Sequence, residues 1–300
     1  MGQFKRAFVF IIAMVVSLVV VATPSFADES SRVLVENSWR FQDGQSITSE
    51  EDSEDAGISA YSLSRLPDGV TAQGIDVSEH QGNINWDAVK ASGVDFAILR
   101  VGFGAPSFGG RTDYQFQRNI SECERLGIPY GIYLYSYAWD DGQAADEAAF
   151  VISNIAGHSP QLPIYYDLED NSIIADGRQG GIASRASVFC NRIINAGYKV
   201  GIYANLNWFN NILTDPVFNS PSWDHWIAQY NYQCDYAGKY SFWQYASDGS
   251  VDGISGSVDM NYAYITIESN EDKWARADEL AAAHSSDLPD GTYTVASLVS

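Results

Sequence analysis

From about Thr71 onward, apolar and polar positions follow two patterns. Short apolar runs alternate with longer segments that carry an apolar stripe. The runs predict buried strands and the striped segments predict amphipathic helices, which is the pattern of a parallel sheet built from strand–helix units. The predicted strands span 74–77, 96–101, 130–137, 163–168 and 200–204. The predicted helices span 85–91, 114–126, 142–156 and 182–196. A glycine follows each helix, where a left-handed residue commonly ends a helix: Gly93, Gly127, Gly157 and Gly197.

After Asn205 the strand–helix alternation ends. The sequence there predicts three short strands without full helices between them, at 226–230, 241–245 and 257–261. Five strands with helices and three without make eight, which is enough to close a barrel if the last strand pairs with the first. We therefore predict an α/β fold, an irregular (β/α)5β3 TIM-like barrel over residues 71–268. A doubly wound open sheet is the alternative, although no Gly-x-Gly-x-x-Gly follows the first strand to support its dinucleotide-binding version.

The first 27 residues have the composition of a secretory signal peptide. Lys5 and Arg6 precede an apolar run at 7–22, and the small residues Ser25 and Ala27 stand where a signal peptidase reads the chain. We expect a secreted protein, extracellular or associated with the cell wall, that has no membrane contact once the signal is removed. A retained membrane anchor is the alternative, since the run is nearly long enough to span a bilayer.

The segments on either side of the predicted barrel differ from it in composition. Residues 28–57 hold nine acids against Arg32 and Arg40, so we predict a mostly disordered leader over 28–70. After the barrel, residues 269–287 predict a helical linker. Residues 288–300 are strand-like and predict the start of a further module that the end of the chain cuts off.

Overall charge and cysteine content exclude several functions. The chain has 38 acidic and 17 basic residues, a formal net charge of −21, which argues against nucleic acid as a partner. Three scattered cysteines without a C-x-x-C or His/Cys cluster suggest neither a metal nor another cofactor. Cys123 and Cys190 fall in predicted helices, which favours buried thiols over a disulfide. We expect a monomer.

Four carboxylates are predicted to converge on one rim of the barrel. Asp167 and Glu169 end the apolar run from Pro163, and their i, i+2 spacing points both to one face of a strand. Asp76 ends the first strand and Asp259 lies in the last. Like charges held close together raise the pKa of at least one acid. Paired acids at the carboxyl end of a barrel strand are what a glycosidase needs, although an isolated Asp-x-Glu is also typical of a solvated loop.

Aromatic and amide side chains near the strand ends are candidates for sugar contact, because pyranose faces stack on rings and hydroxyls need polar partners. Alternation along each strand sends about half of such residues to the helix layer instead. We expect Arg100, which ends the second strand, to pair with a carboxylate of the rim; an exposed charge is the alternative. The candidates are Tyr135, Tyr137, Tyr166, Tyr203, Gln229, Trp243, Gln244 and Arg100.

Five motifs, in order over residues 73–264, resemble glycoside hydrolase family 25, the lysozymes of the N-acetylmuramidase type. They are Gly-Ile-Asp-Val-Ser-x-x-Gln-Gly-x-Ile-x-Trp at 74–86, Phe-Ala-Ile-Leu-Arg-Val-Gly at 96–102, Asp-Leu-Glu at 167–169, Phe-Trp-Gln-Tyr at 242–245 and Val-Asp-Gly-Ile-x-Gly-x-Val-Asp-Met-Asn at 251–261. The resemblance implies the same barrel and hydrolysis of the β-1,4 bond between N-acetylmuramic acid and N-acetylglucosamine in bacterial peptidoglycan, with no cofactor.

The resemblance also implies roles for the four acids. Glu169 matches the general acid/base, and Asp167 matches the acid that orients the acetamido group of the substrate or stabilises the oxazolinium formed from it. Asp76 and Asp259 match the other carboxylates of the groove. Direct attack by a carboxylate and neighbouring-group participation both remain open.

Three further polar residues are expected on the rim. Glu79 and His80 lie where the family varies, and Asp170 is expected to face away from Glu169.

Two other functions stay open. A glycan-binding module without catalysis would keep the aromatic groove but would not need all four acids. A metal-dependent hydrolase is the other alternative, since clustered carboxylates can hold a divalent ion.

Overall fold

The computed structural model describes residues 66–267 and, before them, strands β1 (Phe41–Gln42) and β2 (Gln45–Ser46), which pair antiparallel. The predicted signal peptide, the rest of the leader up to residue 65, the predicted linker and the predicted module start lie outside the described residues. Within the described part of the chain, no helix is long and apolar enough to cross a membrane.

Eight strands close into a barrel, which confirms the predicted α/β barrel. The final strand pairs with the first, so the eight barrel strands form a closed ring and the doubly wound alternative is wrong. A short strand, β5 (Arg111–Thr112), pairs antiparallel with the end of β4. In order around the barrel the strands are β3 (Ala72–Val77), β4 (Phe96–Phe103), β6 (Tyr130–Tyr135), β7 (Ile164–Asp167), β8 (Val200–Asn205), β9 (Trp223–Ala228), β10 (Phe242–Gly249) and β11 (Val258–Ala263).

Helices follow the first five barrel strands and none follows the last three in the described chain. The four predicted helices are present, and the glycine after each has a φ between 63° and 92°, the left-handed conformation that ends a helix. A fifth, short helix was not predicted; the side chain of Asn205 caps it by accepting a hydrogen bond from the Trp208 amide at 3.0 Å. The helices are α1 (Trp86–Ala91), α2 (Phe116–Leu126), α3 (Asp141–Asn154), α4 (Ile182–Asn195) and α5 (Leu206–Asn211).

The last barrel strand runs in the opposite direction to the other seven barrel strands. Those seven, from β3 to β10 without the short β5, are parallel, whereas β11 is antiparallel to both of its neighbours. The beginning of β11 therefore lies at the same barrel end as the carboxyl ends of the other strands. Asp259, the second residue of β11, is directly opposite Asp76 in the register.

Alternation along the strands separates the core into an inner and an outer layer. The outer layer packs the strands against the helices. At Gly201 a Cβ atom would lie 2.5 Å from the Tyr165 ring, so the missing side chain leaves room for an aromatic ring inside the barrel. The inner layer consists of Phe96, Ile98, Leu162, Tyr165, Tyr203, Trp226, Ala228, Phe242 and Ala263.

The three cysteines are buried or half-buried. Cys123 in α2 and Cys190 in α4 are fully buried in the outer layer, as predicted, and Cys234 is half-buried. All three are free thiols, and burial raises the pKa of each one.

Candidate active site

A cleft of about 400 Å³ opens at the carboxyl ends of the parallel strands. It brings together all four predicted acids, Asp76, Asp167, Glu169 and Asp259, even though they come from three different strands and one strand-following loop. The other lining residues are Ser78, His80, Gln81, Arg100, Tyr133, Tyr135, Tyr203, Trp226, Gln244, Ser247, Ser255, Gly256 and Ser257.

Asp76 is buried and held by two amides. Its Oδ2 accepts hydrogen bonds from Nε2 of Gln244 and Nδ2 of Asn261, both at 2.8 Å. Burial raises the pKa of Asp76 to about 6, while the two hydrogen bonds act in the opposite direction because they stabilise the ionised form. Asp76 therefore ionises within the neutral range.

Glu169 retains its proton to a higher pH than Asp76 does. Burial, together with the negative charges of Asp170 and Asp76, raises the pKa of Glu169 to about 8. Burial likewise raises the pKa of Asp167, the charge of Glu169 adds to the effect, and Arg100 opposes it. Near neutral pH the cleft thus contains both a protonated and an ionised carboxyl group.

One atom of Asp167 lacks a partner in the described chain. Its Oδ1 is buried and accepts no hydrogen bond from residues 66–267. A buried acceptor without a donor costs free energy, so this oxygen is suited to a donor brought in by a ligand.

Two carboxyl groups with different pKa values in one cleft can carry out proton transfer. An acid that keeps its proton beside one that has lost it is the arrangement that general acid catalysis of glycosidic cleavage requires. Among residues 66–267, no group of three or more His, Cys, Asp or Glu side chains is arranged to hold a metal ion.

Arg100 lies in the wall of the cleft and pairs with a carboxylate that the sequence did not single out. Its Nε donates to Oδ2 of Asp113 at 2.8 Å, and both side chains are buried. Asp113 also accepts hydrogen bonds from the amides of Glu79 and Gln115, at 2.9 and 2.8 Å. These contacts fix the Arg100 guanidinium where its positive charge acts on Asp167.

Asp170 is not the exposed rim residue that was expected, because its side chain is buried and does not line the cleft. Asp170 is 5% exposed, and it accepts hydrogen bonds from Tyr135 Oη at 3.2 Å and from the amide of Ser172 at 2.8 Å. Strand β7 ends at Asp167, so the alternation of a strand no longer applies at residue 170. There Asp170 caps a short 3₁₀ turn, and its charge raises the pKa of Glu169.

Four of the eight predicted sugar-contact residues line the cleft: Arg100, Tyr135, Tyr203 and Gln244. Oε1 of Gln244 accepts hydrogen bonds from Tyr203 at 2.9 Å and from Tyr230 at 3.0 Å, while its amide nitrogen donates to Asp76. Gln244 is therefore fixed in one orientation, with its amide directed at the acid.

The other four predicted contacts do not line the cleft. Tyr166 points outward and stacks on Phe189 at 3.9 Å, because its neighbours in β7 point inward. Trp243 also points outward and donates Nε1 to the carbonyl of Gln229. Gln229 uses its side-chain amide on Asp235. Tyr137 is 1% exposed and packs against Phe103 and Tyr135.

Trp226 is the main cleft residue that the sequence reasoning missed. Its ring lies 4.3 Å from that of Tyr203, and its Nε1 donates to Oδ1 of Asn261 at 2.8 Å. Trp226 is directly opposite Tyr203 in the register of β8 and β9, so both point into the barrel. The register between β8 and β9 decides this direction, and the sequence of either strand alone does not give that register. His80, predicted on the rim, lines the cleft and is exposed.

A further carboxyl group, Glu147 of α3, lies behind the cleft wall and is fully buried. It accepts hydrogen bonds from Tyr166 Oη at 2.6 Å, Ser136 Oγ at 2.9 Å and the Tyr137 amide at 2.9 Å. Burial raises the pKa of Glu147 to about 7. It ties α3 to the loop after β6 and to the residue that precedes Asp167.

Replacing Glu147 by Gln is expected to lower the free energy of unfolding by about 1–3 kcal/mol, since the carboxyl oxygen that accepts hydrogen bonds from Tyr166 and Ser136 becomes an amide nitrogen that cannot accept them. Urea unfolding at pH 6 measures the change. The matched control is Glu122→Gln on the surface of α2, which loses only solvent-exposed pairing with Arg125 and should stay within about 0.5 kcal/mol of the wild type. Equal stability of the two variants would contradict the role given to Glu147.

Comparison with known proteins gives consistent matches. The family model described as Glycosyl hydrolases family 25 matches residues 75–254. The chain is 28% identical to the autolytic lysozyme of Clostridium acetobutylicum, covering 63% of this chain and 55% of that protein. It is 30% identical to lysozyme M1 of Streptomyces globisporus, covering 63% of this chain and 66% of that protein.

Solved structures are similar as well. The modular autolysin LytC from Streptococcus pneumoniae, in complex with a synthetic peptidoglycan ligand, is 31% identical with a TM-score of 0.57, covering 64% of this chain and 46% of that chain. The chain therefore spans about half to two thirds of the length of these relatives.

Proposed function

Because the chain belongs to family 25 of the glycosyl hydrolases, we propose that it is a secreted lysozyme that hydrolyses the β-1,4 bond between N-acetylmuramic acid and N-acetylglucosamine in peptidoglycan. The observation that supports this most is the pair of unequal acids in one open cleft. Glu169 has a pKa raised to about 8 and Asp76 a pKa of about 6, which gives a proton donor beside an anion near neutral pH.

In this proposal Glu169 is the general acid and then the general base. Its carboxyl proton moves to the glycosidic oxygen as the bond from that oxygen to the anomeric carbon breaks. The resulting Glu169 carboxylate later takes a proton from the water that adds to the anomeric carbon. Burial supports the first step because it keeps the acid protonated at the pH of the reaction.

Asp167 stabilises the positive charge that develops on the sugar. Its unpartnered Oδ1 suits the N–H of an acetamido group, which would hold that group for neighbouring-group attack. Direct attack by a carboxylate would use the same residues, and both routes stay open. Asp259, opposite Asp76 in the register, completes the acidic cluster.

The sugar-binding surface in the proposal follows the lining of the cleft. Tyr203 and Trp226 offer adjacent rings, and Gln244 and Arg100 offer fixed polar groups. Tyr137, Tyr166, Gln229 and Trp243 support this wall from behind instead of touching the sugar.

Mass spectrometry of fragments released from purified peptidoglycan tests the reaction. We expect fragments with muramic acid at the reducing end, formed equally in the presence of a chelator. Glucosamine at the reducing end would mean that a different bond is cut. Binding without fragments would favour the non-catalytic module, and loss of activity with a chelator would favour the metal-dependent hydrolase.

Adsorption to whole bacterial cells is expected to survive moderate salt. The net charge of −21 gives no general attraction to an anionic wall, so binding should come from contacts in the cleft. A pull-down with intact cells at rising ionic strength measures it. Adsorption that collapses between low and physiological salt, where surface charges are screened over about 8 Å, would contradict this expectation.

A further inference from the structure

Tyr114 is the most exposed large apolar side chain in residues 66–267, at 76% of its surface. The guanidinium of Arg111 lies 3.9 Å from the centroid of its ring. A cation at this distance covers one face of the ring and is attracted by its π-electrons. The tyrosine ring is therefore exposed to solvent and yet has a fixed partner.

The position of the ring is set by a second layer of contacts. Nη1 and Nη2 of Arg111 donate to the two oxygens of Glu79 at 2.7 and 2.6 Å, a bidentate pair. Glu79 also accepts the amide hydrogen of Tyr114 at 2.8 Å. The guanidinium also lies 4.9 Å from the ring centroid of Phe103. A ring held in this way loses little freedom when a ligand stacks on it.

These residues stand beside the cleft. Glu79 lies between Ser78 and His80, which both line the cleft, and its amide donates to Asp113. Asp113 precedes Tyr114 and holds Arg100 in the cleft wall. The Tyr114 ring is therefore linked to the cleft wall in two ways. One link runs through the neighbouring Asp113, which holds Arg100, and the other runs through Glu79, whose chain neighbours line the cleft.

We propose that Tyr114, supported by Arg111, is an aromatic platform that binds an additional pyranose ring of the glycan strand outside the cleft. This rests on the proposed function. A glycan strand is a polymer, so it continues past a cleft of about 400 Å³ and over the rim. The apolar C–H face of a pyranose stacks on the tyrosine ring, while the Arg111–Glu79 pair meets its hydroxyl and acetamido groups.

Steady-state kinetics on two substrates test the platform: long glycan strands, and the shortest oligosaccharide that the wild type cleaves. For Tyr114→Ala we expect KM to rise about three- to tenfold on long strands with kcat unchanged, and no change on the short substrate. Tyr114→Phe and Tyr114→Trp should keep the wild-type KM, because stacking needs the ring and not the hydroxyl group.

The matched control is Tyr232→Ala, an exposed tyrosine in the loop between β9 and β10, a loop from which no residue lines the cleft. It should leave KM unchanged on both substrates. Equal effects of Tyr114→Ala on long and short substrates, no effect on either, or an equal effect of Tyr232→Ala would overturn the platform. If the wild type cleaves neither substrate, the proposed function fails, and pull-down of long against short glycans by the same variants still decides the platform.

Discussion

Glu169→Gln is expected to lower turnover by ~10²- to 10⁴-fold while keeping the fold and glycan binding. Glutamine matches glutamic acid in size but cannot transfer a proton to the leaving oxygen. The effect should be large because burial raises the pKa of Glu169 to about 8, so most of the wild type carries this proton at pH values below about 8. Initial rates on purified peptidoglycan and a pull-down of glycan strands measure turnover and binding separately.

Unfolding experiments separate this loss from a loss of structure. The pKa of Glu169 is higher in the folded protein than its ordinary value of 4.5, so its ionisation destabilises the fold. The protonated form of Glu169 therefore contributes stability that is fully present below pH 4.5 and is lost as the pH rises through about 8. Glutamine does not ionise, so relative to the wild type the variant should gain stability across this window. Near wild-type turnover in Glu169→Gln would remove Glu169 from its proposed role.

Asp167→Asn is expected to lower turnover by ~10²-fold or more, because a charge placed to stabilise the transition state is lost. It should also move the alkaline limb of the pH profile to lower pH. That limb reports the acid that must stay protonated, and removing one carboxylate from the cluster lowers the pKa of the acid that remains. Profiles of kcat/KM from about pH 3.5 to about pH 9 measure the shift, since this range extends about one unit below the ordinary pKa of Glu169 and about one unit above its raised pKa.

Asp170→Asn is the matched variant for this experiment. Asp170 does not line the cleft, yet its charge raises the pKa of Glu169. The alkaline limb should again move to lower pH, but with turnover at its optimum close to that of the wild type. An alkaline limb that stays in place in both variants would show that neighbouring carboxylates do not set the pKa of the catalytic acid.

The strand–helix order of the barrel could be predicted because it depends on local signals. Apolar periodicity and a glycine after each of four helices are properties of neighbouring residues. The direction of β11 is different, because nothing in its own sequence specifies which way it pairs. Asp259 was expected in the groove from its place in the last strand, and it reaches the acids only because that strand runs antiparallel.

Side-chain direction was the weaker part of the prediction. Tyr166 and Trp226 look alike in sequence, since each is an aromatic residue in an apolar strand, but Tyr166 faces α4 and Trp226 faces the cleft. The direction follows from the register between strands, which is a long-range property. Asp170 was misplaced because β7 ends three residues earlier, and Asp113 was missed because its partnership with Arg100 depends on the fold of the loop between them.

The titration of the Glu169 carboxyl group itself is the most direct measurement of the proposed chemistry. Carbon-13 NMR of the side-chain carboxyl groups, with the Glu169 signal assigned by its absence in Glu169→Gln, follows this group alone. We expect a midpoint far above the ordinary glutamate value of 4.5 and near 8 in the wild type, moving down in Asp170→Asn. A midpoint near 4.5 would mean that Glu169 is ionised at neutral pH, and it would contradict its assignment as the general acid.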